Sequence, residues 1–249
     1  MTSGVSALIG INGPREHAVF SVVSDLLRER GHRVTYLDPT RTLDPSTIER
    51  LDVLVNKRTR PGSVRTLMRA ARMGIPTWNS ATGVMVCSAR ITQLCALAGV
   101  GFETPTLLPG PSETDYVAKS RFHWGPSPTI NGEGDLYETL LEVDPIDYKY
   151  YLVDTGDDVH LSLVRATSKL FEPDKRILGT GPTDETLVGP LKRLLSLLEM
   201  RALGVDFVRS SDGTWYAVDL NPGPSFRGTG FETLLADSIE ACLPARDST

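Results

Sequence analysis

The sequence predicts an α/β protein: a small layer of alternating strands and helices, followed by paired strands and helices in two further parts. Two observations carry this prediction. The first 80 residues alternate short β-branched runs with amphipathic stretches, the pattern of parallel βαβ units. From about residue 148 onward, runs rich in β-branched and aromatic residues come in pairs across short polar turns, which is hairpin patterning. A chain of 249 residues has the length for one elaborate domain or two modest ones.

Taken in order, strands are predicted over 5–11, 33–37, 53–56 and 75–78. Between them, 16–30 repeats Val19, Val22, Val23, Leu26 and Leu27 at helical spacing and stops at Gly31, a helix C-cap. A second helix fits 62–72, with Pro61 at its start and Gly74 just past its end. Residues 79–87 read as a polar-to-small connection, and 88–98 as a helix with Ile91, Leu94, Cys95 and Leu97 on one face. The domain boundary falls at about residue 80, giving a Rossmann-like domain over 1–80 and a larger one over 81–249, with lobes 81–142 and 143–245.

Beyond the boundary come β segments at 103–108 and 115–119, then a loop over 120–134 rich in Gly, Pro and aromatics. The segments 148–153 and 159–166 form a hairpin across 154–158. Residues 187–203 carry Leu191, Leu194, Leu195, Leu198 and Leu203 at helical spacing. A second hairpin joins 205–208 to 215–220 through the turn 210–213, and a helix over 230–242 closes the chain.

Composition narrows the function. There are 26 Lys plus Arg against 31 Asp plus Glu, a net charge of −5, and no basic run of five or more, which argues against a nucleic-acid partner. No apolar stretch approaches the roughly 20 residues of a membrane span, and the first residues lack a leader pattern, so no membrane partner and a cytoplasmic location are expected. Three cysteines, Cys87, Cys95 and Cys242, lack metal-like spacing and read as small core residues. Lysine is scarce, 6 against 20 Arg, so a lysine inside an apolar strand carries information. Small-molecule substrates are expected, with a homodimer as the default assembly.

The sharpest constellation is Gly204-Val205-Asp206-Phe207-Val208 followed by Trp215-Tyr216-Ala217-Val218-Asp219-Leu220-Asn221-Pro222. Period-two alternation puts Asp219 and Asn221 on one face of a strand, with Asp206 one strand earlier. Two carboxylates and an amide oxygen suit a hard divalent ion that bridges nucleotide phosphates. The plainer reading, polar strand ends and an Asn-Pro-Gly-Pro turn, stays open on spacing alone. Acidic residues inside such apolar strands are costly without a compensating charge, which favours the metal.

These two strands, ending in Ala217-Val218-Asp219-Leu220-Asn221-Pro222-Gly223-Pro224, resemble the C-terminal metal motif of the ATP-grasp superfamily. There the pattern is Asp on one strand, then Glu, an apolar residue and Asn on the next; Asp219 stands at the Glu position. The resemblance implies an α+β ATP-grasp fold, with two subdomains clamping ATP behind the small N-terminal domain. It extends to Tyr116-Val117-Ala118-Lys119, similar to the strand whose lysine contacts nucleotide phosphate, and to Ser88-Ala89-Arg90, where Arg90 stands at a phosphate-binding position but Ala89 replaces an Asp. Asp147-Tyr148-Lys149 resembles the family's Asp-x-Arg strand; by that match Glu142 and Val143 line the adenine pocket and Asp147 holds the ribose. Arg165, with Lys169 four residues on, resembles an arginine facing the transferred phosphate.

The loop Ser120-Arg121-Phe122-His123-Trp124-Gly125-Pro126-Ser127-Pro128 departs from the family's glycine-rich lid, and His123 is a candidate phosphate or substrate contact. Arg227, in Ser225-Phe226-Arg227-Gly228, would suit a carboxylate or phosphate of the second substrate. In the N-terminal part, Asn12-Gly13-Pro14-Arg15 follows the first strand without a GxGxxG fingerprint, and Asn56-Lys57-Arg58 ends a strand at the same edge, within reach of substrate. The resemblance implies a carboxylate–amine ligase using ATP and Mg²⁺, with Mn²⁺ as a substitute, similar to glutamate-ligase and D-alanine-ligase-like enzymes. Its substrates would be a small carboxylate and a small amine. A small-molecule kinase and a nucleotide-binding protein without catalysis are the alternatives.

Overall fold

The computed structural model describes residues 6–172, 174 and 176–244. The first layer is a parallel sheet of β1 (Leu8–Asn12), β2 (Arg33–Leu37), β3 (Val53–Asn56) and β4 (Thr77–Trp78) in the order β2-β1-β3-β4. Its crossovers carry α1 (Ala18–Glu29), the short α2 (Pro45–Ile48), which the sequence reading did not contain, and α3 (Pro61–Arg72). α1 starts where His17 Nδ1 accepts the Phe20 N–H at 3.2 Å, and it stops before Gly31, whose φ of 93° no β-carbon-bearing residue adopts readily.

Residues 79–87, expected as a connection, form a helix instead: α4 (Ala81–Ser88). The Ser80 hydroxyl accepts the Gly83 N–H at 2.9 Å, an N-cap, and a Cβ at Gly83 would stand 2.4 Å from the Leu198 carbonyl oxygen. Ala89 is extended, so the next helix, α5 (Arg90–Gly99), begins at 90 rather than 88. Its apolar face is narrower than periodicity implied: Leu94 and Leu97 are buried, Cys95 is exposed and Ile91 is 45% exposed. Of the cysteines expected in the core, only Cys87 is fully buried.

A small antiparallel sheet follows, β5 (Leu107–Leu108), β6 (Tyr116–Lys119), β7 (Thr129–Ile130) and β8 (Leu136–Thr139), in the order β5-β8-β6-β7. The expected 103–108 strand shrinks to two residues, with Glu103 making an isolated bridge to Tyr216, and the 120–134 loop contains β7.

The largest sheet holds β9 (Ile146–Asp154), β10 (Val159–Thr167), β11 (Ile177–Gly181), β12 (Ala202–Arg209) and β13 (Trp215–Asn221), in the order β11-β10-β9-β12-β13. Both expected hairpins form, β9–β10 and β12–β13, whereas β11 was unforeseen. Between β11 and β12 lies α6 (Glu185–Leu197); it ends six residues earlier than expected, because Glu199 takes a φ of 50° and Ala202 and Leu203 enter β12. The last helix is α7 (Glu232–Glu240).

Strand alternation gives this sheet two apolar faces. Tyr150, Leu152, Leu163, Leu203 and Val205 pack against α6, while Tyr151, Val153, Val164 and Ala202 pack with Ile9, Phe20 and Leu235. The N-terminal layer and the large sheet therefore share one core. Asn79 joins them: its φ is 72° and it is fully buried. Its Nδ2 donates to the carbonyls of Ala202 (2.8 Å) and Pro222 (2.7 Å), and its Oδ1 accepts the N–H groups of Arg201 and Ala202, each at 2.9 Å. Those four bonds fasten the start of β12 and the turn after β13. Among the described residues no helix is long and apolar enough to cross a membrane.

Candidate functional site

Between the small antiparallel sheet and the large one lies a cavity of about 320 Å³. Lys119 reaches it from the end of β6, Lys149 from β9, Asp206 from β12, Asp219 and Asn221 from β13, and Arg90 from the first residue of α5. Asp206 and Asp219 are direct cross-strand partners, and a register shift follows at Asp206/Phe207. On its other side Asp206 stands in register with Lys149. The carboxylates and the lysine therefore share one face of the sheet.

Each carboxylate is paired with a cation. Lys149 Nζ bonds to the Asp206 carboxylate and lies 3.4 Å from Asp147, while the Arg90 guanidinium bonds to Asp219. Burial would push the Asp219 carboxyl up, but Arg90, His123 and Lys119 hold it well below the usual carboxylate range. At Asp206 burial pushes the carboxyl up; Lys149 opposes this, and the charges of Asp219 and Asp147 add to the rise. Against burial, Asp206 and Asp147 hold the Lys149 ammonium above its ordinary value.

Lys119 is buried, with Nζ 2.5 Å from Glu138 Oε2 and 3.2 Å from the Val218 carbonyl oxygen. The other Glu138 oxygen, Oε1, is buried and finds no hydrogen-bond partner among the described residues, and Glu138 lines the cavity. Neither Lys149 nor Glu138 was among the sequence-derived site residues. Lys149 had a signal, a scarce lysine at the arginine position of Asp-x-Arg; Glu138 had none, since its strand was not recognised.

Val143, Asp147 and Lys169 also line the cavity, whereas Glu142 lies in an adjoining surface hollow with Thr114 and Asp115. Arg165 does not belong to the site. It pairs with Tyr148, one residue out of step with the Val164–Lys149 pair, so it projects from the opposite face, exposed near Gly181. Arg227 is likewise exposed and outside the cavity, following Phe226, which packs in the core with Ile9 and Phe20 of the N-terminal layer. The resemblance assigned both arginines by their place along the chain, and the pleat and the last loop put them outside the cavity.

His123 does not line the cavity; its Nε2 lies 3.6 Å from Asp219 Oδ2, beyond hydrogen-bonding distance. It is carried by a fastened loop. The Arg90 N–H donates to the Arg121 carbonyl at 2.9 Å, the His123 N–H to the Ser88 carbonyl at 3.0 Å, and the Arg121 N–H to the Asp135 carboxylate. On the outer surface of this loop the rings of Phe122 and Trp124 stack at 4.6 Å.

Among the described residues no three His, Cys, Asp or Glu side chains converge into a metal cage. The oxygen set of Asp206, Asp219 and Asn221 nevertheless fits a hard divalent ion held jointly with phosphate: all three line one cavity, and Asn221 Oδ1, which accepts the Gly223 N–H at 2.9 Å, keeps a second lone pair.

No family model matches the chain, and no curated protein matches it. Solved structures do. An N5-carboxyaminoimidazole ribonucleotide synthetase from Thermotoga maritima superposes with a TM-score of 0.71 at 15% identity, over 98% of this chain and 78% of that one. The ATP-grasp ligase PsnB, complexed with a phosphomimetic variant of its minimal precursor, Mg and ADP, gives 0.67 at 17% identity, over 96% and 99% of the two chains. The macrocyclase MdnC bound with precursor peptide MdnA, from Microcystis aeruginosa, gives 0.66 at 11% identity, over 94% and 99%.

Proposed function

We propose, from the premise that this chain has the ATP-grasp fold, that it is an ATP-dependent ligase joining a carboxylate to an amine on small, amino-acid-like or peptide substrates. The observation that carries this reading is one cavity in which Asp206, Asp219 and Asn221 are ringed by three cations, Arg90, Lys119 and Lys149. In the same reading residues 1–80 are a domain that helps bind substrate, and 81–249 clamp the nucleotide.

The chemistry needs no protein nucleophile. A substrate carboxylate oxygen attacks the γ-phosphorus of ATP and ADP leaves, giving an acyl-phosphate; the amine then attacks the acyl carbon, phosphate leaves and the nitrogen loses a proton. Lys119, Arg90, Lys149 and Lys169 neutralise and orient the phosphates, a contribution of positioning and charge. Val143 lines the adenine end, and Asp147 holds the ribose. Asp206, Asp219 and Asn221 would hold Mg²⁺ or Mn²⁺, which supplies charge neutralisation on the transferred phosphoryl group.

Calorimetric titration with ATP, with and without Mg²⁺, followed by ADP-release assays on mixtures of acids and amines, tests the reading. Metal-dependent binding and ADP release that requires both an acid and an amine are expected. Binding without turnover in any mixture would favour a nucleotide-binding protein, phosphoester formation a kinase, and no binding would end all three readings.

A further inference from the structure

The N-terminal sheet has a second crevice that the phosphate chemistry does not use. In the order β2-β1-β3-β4 the chain leaves β1 in one direction and returns on the other side at β3, so the loops after these two strands diverge at a topological switch point, where open α/β sheets bind ligands. The two loops, 13–17 and 57–60, carry Arg15, His17, Lys57, Arg58 and Arg60 against a single acid, Glu16. The loop after β13 comes to the same place: the ring of Phe226, the residue before Arg227, lies 5.3 Å from Lys57 Nζ, which also reaches the Pro224 carbonyl oxygen.

The crevice is built rather than incidental. Asn12 and Asn56 are buried at the two strand ends and joined at 3.2 Å, and Asn12 Oδ1 has no partner. Lys57 is buried between Phe20 and Phe226, its Nζ 4.2 Å and 5.3 Å from their ring centres and 2.5 Å from the Pro224 carbonyl oxygen. Among the described residues, none of His17, Lys57, Arg58 and Arg227 forms an ion pair, although most buried or clustered cations elsewhere in the chain do. A concentration of positive charge at a ligand-binding edge, faced in its two loops by the single exposed acid Glu16, calls for an anion from outside.

We propose that this crevice binds an oxyanion, a carboxylate or a phosphate, on the non-reacting end of the ligase's second substrate. Arg58 and Arg227 contact it directly, and buried Lys57 is the floor behind them, its ammonium form favoured by the bound anion. The assignment rests on the ligase reading and narrows its substrates to those carrying a second anionic group. Arg227, which the sequence assigned to a second substrate, acts here rather than at the phosphates.

The test uses the whole chain labelled at histidine, with the His17 imidazole identified through His17→Asn and followed by NMR. Titration with succinate, inorganic phosphate and the uncharged succinamide should shift the His17 resonance saturably for one or both anions and not for the amide; the stronger of the two identifies the oxyanion. Arg58→Gln and Arg227→Gln, both exposed, should each weaken that binding by about tenfold or more. An equal response to succinamide, or unchanged affinity in both variants, would overturn the proposal. Mg-ATP binding to the unmodified protein is measured alongside. Its absence would overturn the ligase reading, and with it the assignment to a substrate, whereas its presence with no anion response would overturn the crevice alone.

Discussion

Asp206 and Asp219 face each other across the β12–β13 ladder, and each is neutralised by a cation from a different element, Lys149 of β9 and Arg90 of α5. Two carboxylates in direct register repel unless positive charge is supplied. The protein supplies it from two sides, and in the proposed function the same two cations would meet the nucleotide phosphates.

Replacing Asp219 by Ala should reduce ADP release by about 100-fold or more, since charge stabilisation at a transferring phosphoryl group is worth several kcal/mol. Calorimetry on the variant should show Mg²⁺-dependent ATP binding abolished. Near-normal turnover would remove Asp219 from the metal site.

The buried pair Lys119–Glu138 predicts an asymmetric response. Glu138→Ala leaves the ammonium uncompensated and should cost about 3–5 kcal/mol, or about 6–20 °C in Tm for a chain of this size. The double variant Lys119→Met/Glu138→Leu should recover most of that loss in thermal unfolding while abolishing ATP binding. Additive losses would show that the two side chains are not coupled.

Asn79→Ala removes four hydrogen bonds and strands buried backbone groups, each worth about 1–3 kcal/mol when orphaned. A loss of about 3 kcal/mol or more is expected, read as Tm. Asn79→Gly suits the positive φ yet makes none of the bonds, so it should be nearly as unstable. If Gly restored stability, backbone strain rather than the bonds would be the reason for the residue.

Two bases make stability depend on pH. Burial, with Lys57 and Arg227, pushes His17 down to about 4 from its ordinary 6.5, so between those values the unfolded chain binds a proton that the folded one refuses. Stability should therefore rise from about pH 4 to 6.5, and His17→Asn, which keeps the helix cap, should flatten that rise. Burial and Arg58 push Lys57 down to about 7 from 10.5, which gives a second rise over that interval. Lys57→Met should remove it. Tm against pH for the three proteins checks both.

The alternating strands and helices of the first 80 residues, both hairpins and the juxtaposed carboxylates Asp206 and Asp219 were legible because each rests on local periodicity or spacing. Less was visible where tertiary packing decides. α4 is apolar all round, with no face for a periodicity to mark, and its cap at Ser80 is the only local sign. β8 carries Glu138 in a strand of four residues whose partners are the non-adjacent β5 and β6. Arg165 was assigned by its place along β10, but a single step of the pleat decides which face a strand residue serves. The loop order that brings Phe226 and the loop of Arg227 to the N-terminal layer is a property of the whole fold, and no local pattern in the sequence contains it.

The strap between 120–125 and the α4–α5 junction ties two events together. Because Arg90 gives its backbone N–H to Arg121 and its guanidinium to Asp219, the position of the loop and the neutralisation of that carboxylate are mechanically one variable. On the proposed ligase reading, a nucleotide that draws the guanidinium toward its phosphates would unpair Asp219 at the same residue that anchors the loop. Entry of the nucleotide and exposure of the carboxylate to a cation would then meet at one side chain, Arg90.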